Sequence, residues 1–281
     1  KAKLTGYTRI MEINLLHYKR LVTFGCSWTA GDEINDHKCL GKSFEQVKTE
    51  KIHCNSINEF YNKKNEEGQT YRSLIQKNQD LNRNRAWGYH LSKKLNYNFL
   101  NCAISGSSVD HALFRIICDT NNNILKNDDL IIVGLTTPTR IFVWENTDLI
   151  KDFIIGNITE KKLAKIFHKY WPDNNLLFSY INTLNSILAF KKDILVFWVR
   201  HNPFADKETQ RYRIDRQLYK IDKLNRFFYN NTYELYKERF FSNDVILELP
   251  HEEHCGFGHP QEKQHIILAN QLFNDIVHVK K

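Results

Sequence analysis

Five short apolar runs punctuate the chain, at residues 20–24, 97–104, 130–135, 194–199 and 245–249, each rich in β-branched or aromatic side chains. Their apolar positions are continuous rather than alternating, which marks strands covered on both faces, the habit of parallel sheets. Between and after these runs the apolar positions recur at helical spacing, over 86–95, 109–118, 160–171, 176–190, in pieces over 212–239, and over 265–277. Strand and helix alternating in this way predict an α/β fold, a three-layer α/β/α sandwich around a central, mostly parallel five-stranded sheet.

Two stretches fall outside that rhythm. Residues 34–82 form a long polar excursion, rich in Lys and Asn, between the first strand and the first clear helix. Residues 141–172 form another, carrying Trp144, Tyr170 and Trp171. Connections of this length are usual for lids, binding loops and inserted subdomains. Both are read as insertions that either shape a substrate pocket or elaborate the surface of a single domain spanning 19–281. Residues 1–18 are set apart as an N-terminal extension; the single methionine is Met11, and "KAKLTGYTRI" before it takes no part in the fold argument.

With 281 residues, 42% of them hydrophobic and 13% aromatic, the chain has enough apolar surface for one large core. Lys and Arg number 40 against 32 Asp and Glu, a formal charge of +8. These charges are scattered along the chain and not gathered into a stripe, so no nucleic-acid partner is expected. The absence of any apolar run long enough to span a bilayer, or of a signal-like start, leads to the expectation of a soluble chain, cytoplasmic or virion-associated, with no membrane partner. Six cysteines (Cys26, Cys39, Cys54, Cys102, Cys118, Cys255) stand far apart without a C-x-x-C pair, so reduced thiols are expected.

The candidate chemistry lies where the apolar runs end, since open α/β sheets gather ligands at the carboxyl edge of their strands. The first run closes in "LVTFGCSWTAGDE", which puts Ser27 between Gly25 and Gly31. Such a serine is either a turn residue or a nucleophile at the sheet edge. The second run leads into "NCAISGSSVD" with Gly106, and the third into "GLTTPTR" with Thr136 and Arg140. The fourth leads into "WVRHNPF" with Arg200 and His201, and the fifth into "PHEEHCGFGHPQEKQH" with Glu252, Glu253 and His259.

In this order the blocks resemble those of the SGNH hydrolases, the GDSL-type esterase and lipase superfamily, whose first block is an apolar strand ending in Gly-Asp-Ser. Here "FGCSWTAG" has Cys26 in the Asp place and Ser27 as the implied nucleophile; "NCAISG" matches the second block and implies Gly106 as a backbone oxyanion donor; "HPQEKQHIILANQL" matches the last and implies His259 as general base. The resemblance spans residues 21–272 and implies an SGNH, flavodoxin-like fold. In the third block the family's Gly-x-Asn-Asp is replaced by Gly134-Leu135-Thr136-Thr137, which leaves the Thr136 hydroxyl as third oxyanion donor. The variant "GLTTPTR" resembles a divergent branch common among phage and environmental bacterial proteins. Three residues before His259, where the family has its triad Asp, stands Gly256. Glu252 or Glu253 is then left to orient the base, or a backbone carbonyl in a Ser-His dyad.

A serine hydroxyl becomes a useful nucleophile only with a base in hydrogen-bond reach and an acceptor that orients the base. The backbone N–H groups of Ser27 and Gly106, with Thr136, would stabilise the oxyanion. Arg140, Arg200 and His201 are candidates for holding an anionic part of the substrate, and Trp28 for a pocket wall. His265, on the last helix, reads as structural. The expected activity is hydrolysis of a small acyl ester, such as an O-acetyl group on a carbohydrate, without a cofactor. His251, His254, Cys255 and His259 are metal-capable, but "HEEH" has an i, i+3 spacing where a zincin helix needs i, i+4, so no metal site is expected. The alternative to an enzyme is an inactive binding or virion-associated structural protein on the same fold.

Overall fold

The structure, a computed structural model, describes residues 15–136, 140–145, 149–154, 173–191, 193–199, 228–241 and 259–278. Four strands, β1 (Arg20–Gly25), β2 (Asn98–Asn101), β3 (Asp129–Leu135) and, after a separate antiparallel hairpin of β4 (Arg140–Glu145) and β5 (Leu149–Ile154), β6 (Ile194–Trp198), carry the fold. They form one parallel sheet in the order β2-β1-β3-β6. The sequence reading expected five strands; the fifth run, 245–249, lies outside the described residues. Phe240 makes a parallel bridge to Val196, and the Phe241 N–H donates to the Val196 carbonyl at 3.1 Å, so the outer edge of β6 is paired there.

Side-chain parity explains why the runs are continuously apolar. Leu21, Leu130, Ile132, Leu195 and Phe197 face one way, against Trp87 and Leu91 of the helix Trp87–Leu95 and Leu268, Ala269, Leu272 and Ile276 of the helix Glu262–His278. Val22, Phe24, Ile131, Val133, Ile194 and Val196 face the other, against Val109, Ala112 and Ile116 of Val109–Asn121 and Ile181, Leu184 and Ile187 of Asp173–Phe190. Period-2 alternation therefore delivers apolar groups to two helical layers at once. Arg20 pins the register at the amino end of the sheet. Its Nε and Nη2 donate to the two Asp129 carboxylate oxygens at 2.7 Å each, and the two residues are paired across β1 and β3. β2 is shorter than the predicted 97–104, and its last residue, Asn101, turns its side chain into the structure. The backbone still follows β1, with Cys102 N–H on the Thr23 carbonyl (2.8 Å) and Ile104 N–H on that of Gly25 (3.0 Å).

The excursion after β1 is a helical unit. After α1 (Ser27–Ala30), which follows β1 directly, it comprises α2 (Asp36–Cys39), α3 (Phe44–Ile52), α4 (Ile57–Asn62), α5 (Tyr71–Lys77) and α6 (Asp80–Arg83). α7 is Trp87–Leu95, α8 Val109–Asn121, α9 Asp173–Phe190 and α10 Glu262–His278. Val47, Phe60 and Tyr71 form a small separate core in the excursion. Most of these helices are too short to show an amphipathic stripe and α3 is largely polar, which is why periodicity misses them, but their caps are written in the sequence. Ser43 and Gln46 make a reciprocal capping box, and Ser56 and Thr70 cap α4 and α5. The predicted helix 160–171 lies outside the described residues, as does most of 212–239.

The strand order reverses direction between β1 and β3, and the carboxyl edge at that switch is where a doubly wound sheet opens a crevice. Gly25 and Gly134 are opposed in the register there, with Thr29 packed over both. A Cβ on Gly25 would lie 2.6 Å from Thr29 Oγ1 and 2.7 Å from the Gly134 carbonyl oxygen; one on Gly134 would collide with Thr29 Oγ1 and stand 2.7 Å from Val199 Cγ1. Gly134→Ala is expected to lower stability by about 1–3 kcal/mol through overpacking, read as a lower urea midpoint at unchanged slope. A wild-type midpoint would show that α1 does not rest on the sheet edge.

Candidate active site

The strand-to-helix turn that carries Ser27 is held from several sides. Gly25 has φ +146° and Cys26 is extended, after which the chain enters α1 at Ser27 and leaves it at Gly31 in the left-handed region. The Cys26 carbonyl accepts from Thr29 and Ala30 N–H at 2.9 Å each, and that of Ser27 from Gly31 (2.9 Å) and Asp32 (3.0 Å). Asn101 then clasps the turn. Its Nδ2 donates to the Thr29 and Ala30 carbonyls at 3.3 Å each, while its Oδ1 accepts from Ala103 N–H (3.1 Å) and the Thr23 hydroxyl (3.3 Å). The Asn and Ala of "NCAISG" thus brace the Ser27 turn, a role that sequence reasoning did not assign.

Gly106 has φ +78°, and a Cβ placed on it would meet nothing within 4 Å. Its requirement is thus conformational, in a loop that opens towards space. The loop closes on Ser108, whose hydroxyl caps α8 by accepting from His111 N–H at 3.1 Å. Its other end reaches the first block, where the Ser105 hydroxyl hydrogen-bonds the Asp32 carboxylate. Burial pushes the Asp32 carboxyl above its ordinary range, against the opposing pull of His259 and of that hydroxyl. Thr136 is buried just past β3, and its carbonyl accepts from the Tyr180 hydroxyl at 2.8 Å.

His259 enters from just before α10, with Nδ1 3.0 Å from Glu33 Oε1. Glu33 is only 2% exposed and sits at φ 69°, a left-handed conformation that a β-carbon residue adopts at a cost. Its other oxygen, Oε2, lies 3.1 Å from the Lys51 ammonium. Burial alone would raise the Glu33 carboxyl, but His259 and Lys51 outweigh it and hold the group below its ordinary range. Lys51 reaches in from α3, with its side chain 1% exposed, and also pairs with Asp36 Oδ2 at 3.0 Å. Asp36 accepts from Asn82 Nδ2 (3.1 Å) and Tyr61 Oη (3.5 Å), so the carboxylates facing Lys51 are themselves supported. For Lys51, burial works to lower the pKa, and the two carboxylates more than reverse it.

These contacts bring together the Ser27 turn, Asp32, Glu33, Ser105 beside Gly106, and His259, from the first, second and last blocks of the sequence. Glu252, Glu253, Arg200 and His201 lie outside the described residues, as do His251, His254 and Cys255. Trp28 and Arg140 are described by backbone alone, in α1 and at the start of β4. The carboxylate facing His259 Nδ1 is Glu33, which sequence reasoning passed over because it sought the acid in the block that carries His259. The available signal was the acidic pair after Gly31, in a block otherwise apolar and small. His265 is buried and neutral, its pKa pushed down to about 3 chiefly by burial, and its Nδ1 accepts from Trp87 N–H at 3.1 Å. It ties α10 to α7. Among the described residues no cluster of His, Cys, Asp and Glu could hold a metal ion, and no helix is long and apolar enough to cross a membrane.

No family model matches the chain, and no curated protein does. Solved structures do. A carbohydrate esterase is 12% identical over 92% of this chain, which spans 65% of that one, with a TM-score of 0.45. The psychrotrophic esterase EstA of Pseudoalteromonas sp. is 10% identical, over 92% of this chain and 97% of that one, at 0.45. A member of the lipolytic G-D-S-L family from Veillonella parvula is 12% identical, over 91% and 97%, at 0.44.

Proposed function

We propose that the chain is a serine ester hydrolase in which Ser27 is the nucleophile, His259 the general base and Glu33 the acid that orients it. The observation that carries this reading is the contact between His259 Nδ1 and the buried Glu33, which projects from the turn that Ser27 begins. A carboxylate at Nδ1 fixes the imidazole tautomer and leaves Nε2 to take a proton. In the proposed reaction the Ser27 oxygen attacks the ester carbonyl and gives its proton to His259. The tetrahedral oxyanion is held by the N–H groups of Ser27 and Gly106 and by the Thr136 hydroxyl. Collapse breaks the bond to the leaving alkoxide, which takes the proton from His259. Water, deprotonated by the same imidazole, then attacks the acyl-serine; collapse breaks the bond to the Ser27 oxygen, which takes the proton back from His259, and the carboxylic acid leaves. Glu252 and Glu253 are not needed as triad acids in this scheme. Trp28, Arg140, Arg200 and His201 are proposed to bind the rest of the substrate.

The proposed substrate is a small acyl ester, such as an O-acetyl group on a carbohydrate, a class that comes from the resemblance of the sequence blocks. The test is a panel of p-nitrophenyl esters of increasing acyl length alongside O-acetylated oligosaccharides. Turnover is expected for acetyl esters and is expected to fall with chain length. A folded protein that turns over none of them would contradict the hydrolase reading and leave the inactive binding protein in its place.

A further inference from the structure

The Lys51 ammonium does more than fill a hole in the helical insertion. It stands between Glu33, which touches the base, and Asp36, which begins α2, at 3.1 and 3.0 Å. We propose that Lys51 is a positioning residue, whose ammonium clamps the Glu33 carboxylate in the orientation that holds His259, so that the insertion is part of the machinery of the site. This rests on the hydrolase reading for its catalytic consequence, but the clamp itself does not.

Three observations support the assignment. Lys51 carries α3 to the carboxylates of Glu33 and Asp36, and a lysine this deeply buried needs paired carboxylates to stay charged. Three side-chain torsions separate the Glu33 backbone from its carboxylate, so contacts at the far end set the direction of that carboxylate. Those contacts are His259 on one oxygen and Lys51 on the other. The groups facing Glu33 and Lys51 come from several elements: Asp32 in the turn after α1, Asp36 on α2, Tyr61 on α4, the Phe60 ring 5.2 Å from the ammonium, and His259 before α10. Lys51 thus links the insertion to the base through a single carboxylate.

Without the ammonium, Glu33 and Asp36 face each other with no cation between them, and Glu33 should take up a proton at higher pH. A protonated Glu33 no longer fixes the imidazole. The experiment compares wild type with Lys51→Met, Lys51→Arg and the double variant Lys51→Met/Asp36→Asn, which removes the second carboxylate along with the cation. Two quantities are read: the titration of the Glu33 carboxyl by carbon-13 NMR, and the pH profile of kcat and KM for p-nitrophenyl acetate. In Lys51→Met the Glu33 titration is expected to move to higher pH and the acid limb of kcat to move with it. The fall in kcat should reach about 10²-fold, as for a misplaced catalytic group, with KM little changed because Lys51 does not touch substrate. Lys51→Arg should recover part of both.

The double variant separates positioning from stability. If the melting temperature returns while kcat stays low, Lys51 positions the base; if activity returns with stability, it was a structural ion pair and the proposal is overturned. Should Lys51→Met fail to fold, the double variant carries the same reading. Unchanged Glu33 titration in a folded variant overturns the clamp. A wild-type protein inactive on every ester, yet with a Glu33 titration that depends on Lys51, would keep the clamp and remove the hydrolase.

Discussion

Ser27→Ala is expected to reduce kcat for ester hydrolysis by about 10⁶-fold, with a melting curve that overlays that of the wild type. The two expectations have separate physical sources. The turn around Ser27 is built from backbone: the Cys26 and Ser27 carbonyls accept its hydrogen bonds, Asn101 holds the following carbonyls, and the Gly25 and Gly134 backbones support Thr29. Alanine keeps all of this and retains the β-carbon, so the fold loses almost nothing. The reaction loses its attacking oxygen, and the other hydroxyl in α1 cannot replace it, because Thr29 Oγ1 is packed against Gly25 and Gly134 at the sheet edge. Steady-state kinetics and urea unfolding on the same preparation check both halves. Residual activity near wild type would remove Ser27 from the mechanism.

Glu33→Gln should damage activity and stability together. An amide in place of the proposed triad acid can present the wrong hydrogen-bonding group to Nδ1, an exchange that costs about 10⁴-fold in kcat in serine triads. Removing one partner of a buried ion pair typically costs about 3–5 kcal/mol. The low end is expected here, because Lys51 keeps Asp36. The pH dependence has a definite sign. The folded-state pKa of Glu33 lies below its ordinary value, so the ionised group contributes stability above the unfolded pKa, roughly 4.3. That contribution is lost as the pH falls through the folded value. The stability gap between wild type and Glu33→Gln should therefore be full at neutral pH and narrow below about pH 4, as measured by urea unfolding across a pH series. A gap that does not change with pH would mean that Glu33 stabilises the fold by packing and not by charge.

How much of this was legible in the sequence depends on the range of the interaction. The four strands and the helices over Trp87–Leu95, Val109–Asn121, Asp173–Phe190 and Glu262–His278 announce themselves through apolar periodicity, because both faces of the sheet are covered. The short helices of the insertion do not, since most have only four to seven residues and the nine of Phe44–Ile52 are largely polar, and only their caps give them away. Ser27, Gly106 and His259 stand out as candidates in the sequence because each sits at a strand or helix end with a small, recognisable neighbourhood. Glu33 was half readable: its position six residues after Ser27 is local, but its pairing with His259 spans most of the chain. Lys51 was not readable at all. A lysine in a polar, lysine-rich stretch looks solvent-exposed until the fold buries it against Glu33 and Asp36.

The central claim is that the Ser27 hydroxyl and the His259 imidazole act as one unit at the carboxyl edge of β1. The most direct measurement is labelling with a fluorophosphonate, the adduct located by peptide mass spectrometry, in wild type and in His259→Ala. The account predicts a single adduct on Ser27 in the wild type and almost none in the folded His259→Ala protein. Labelling of Ser27 at equal rates in both, or a folded wild type that takes no label at Ser27, would contradict it.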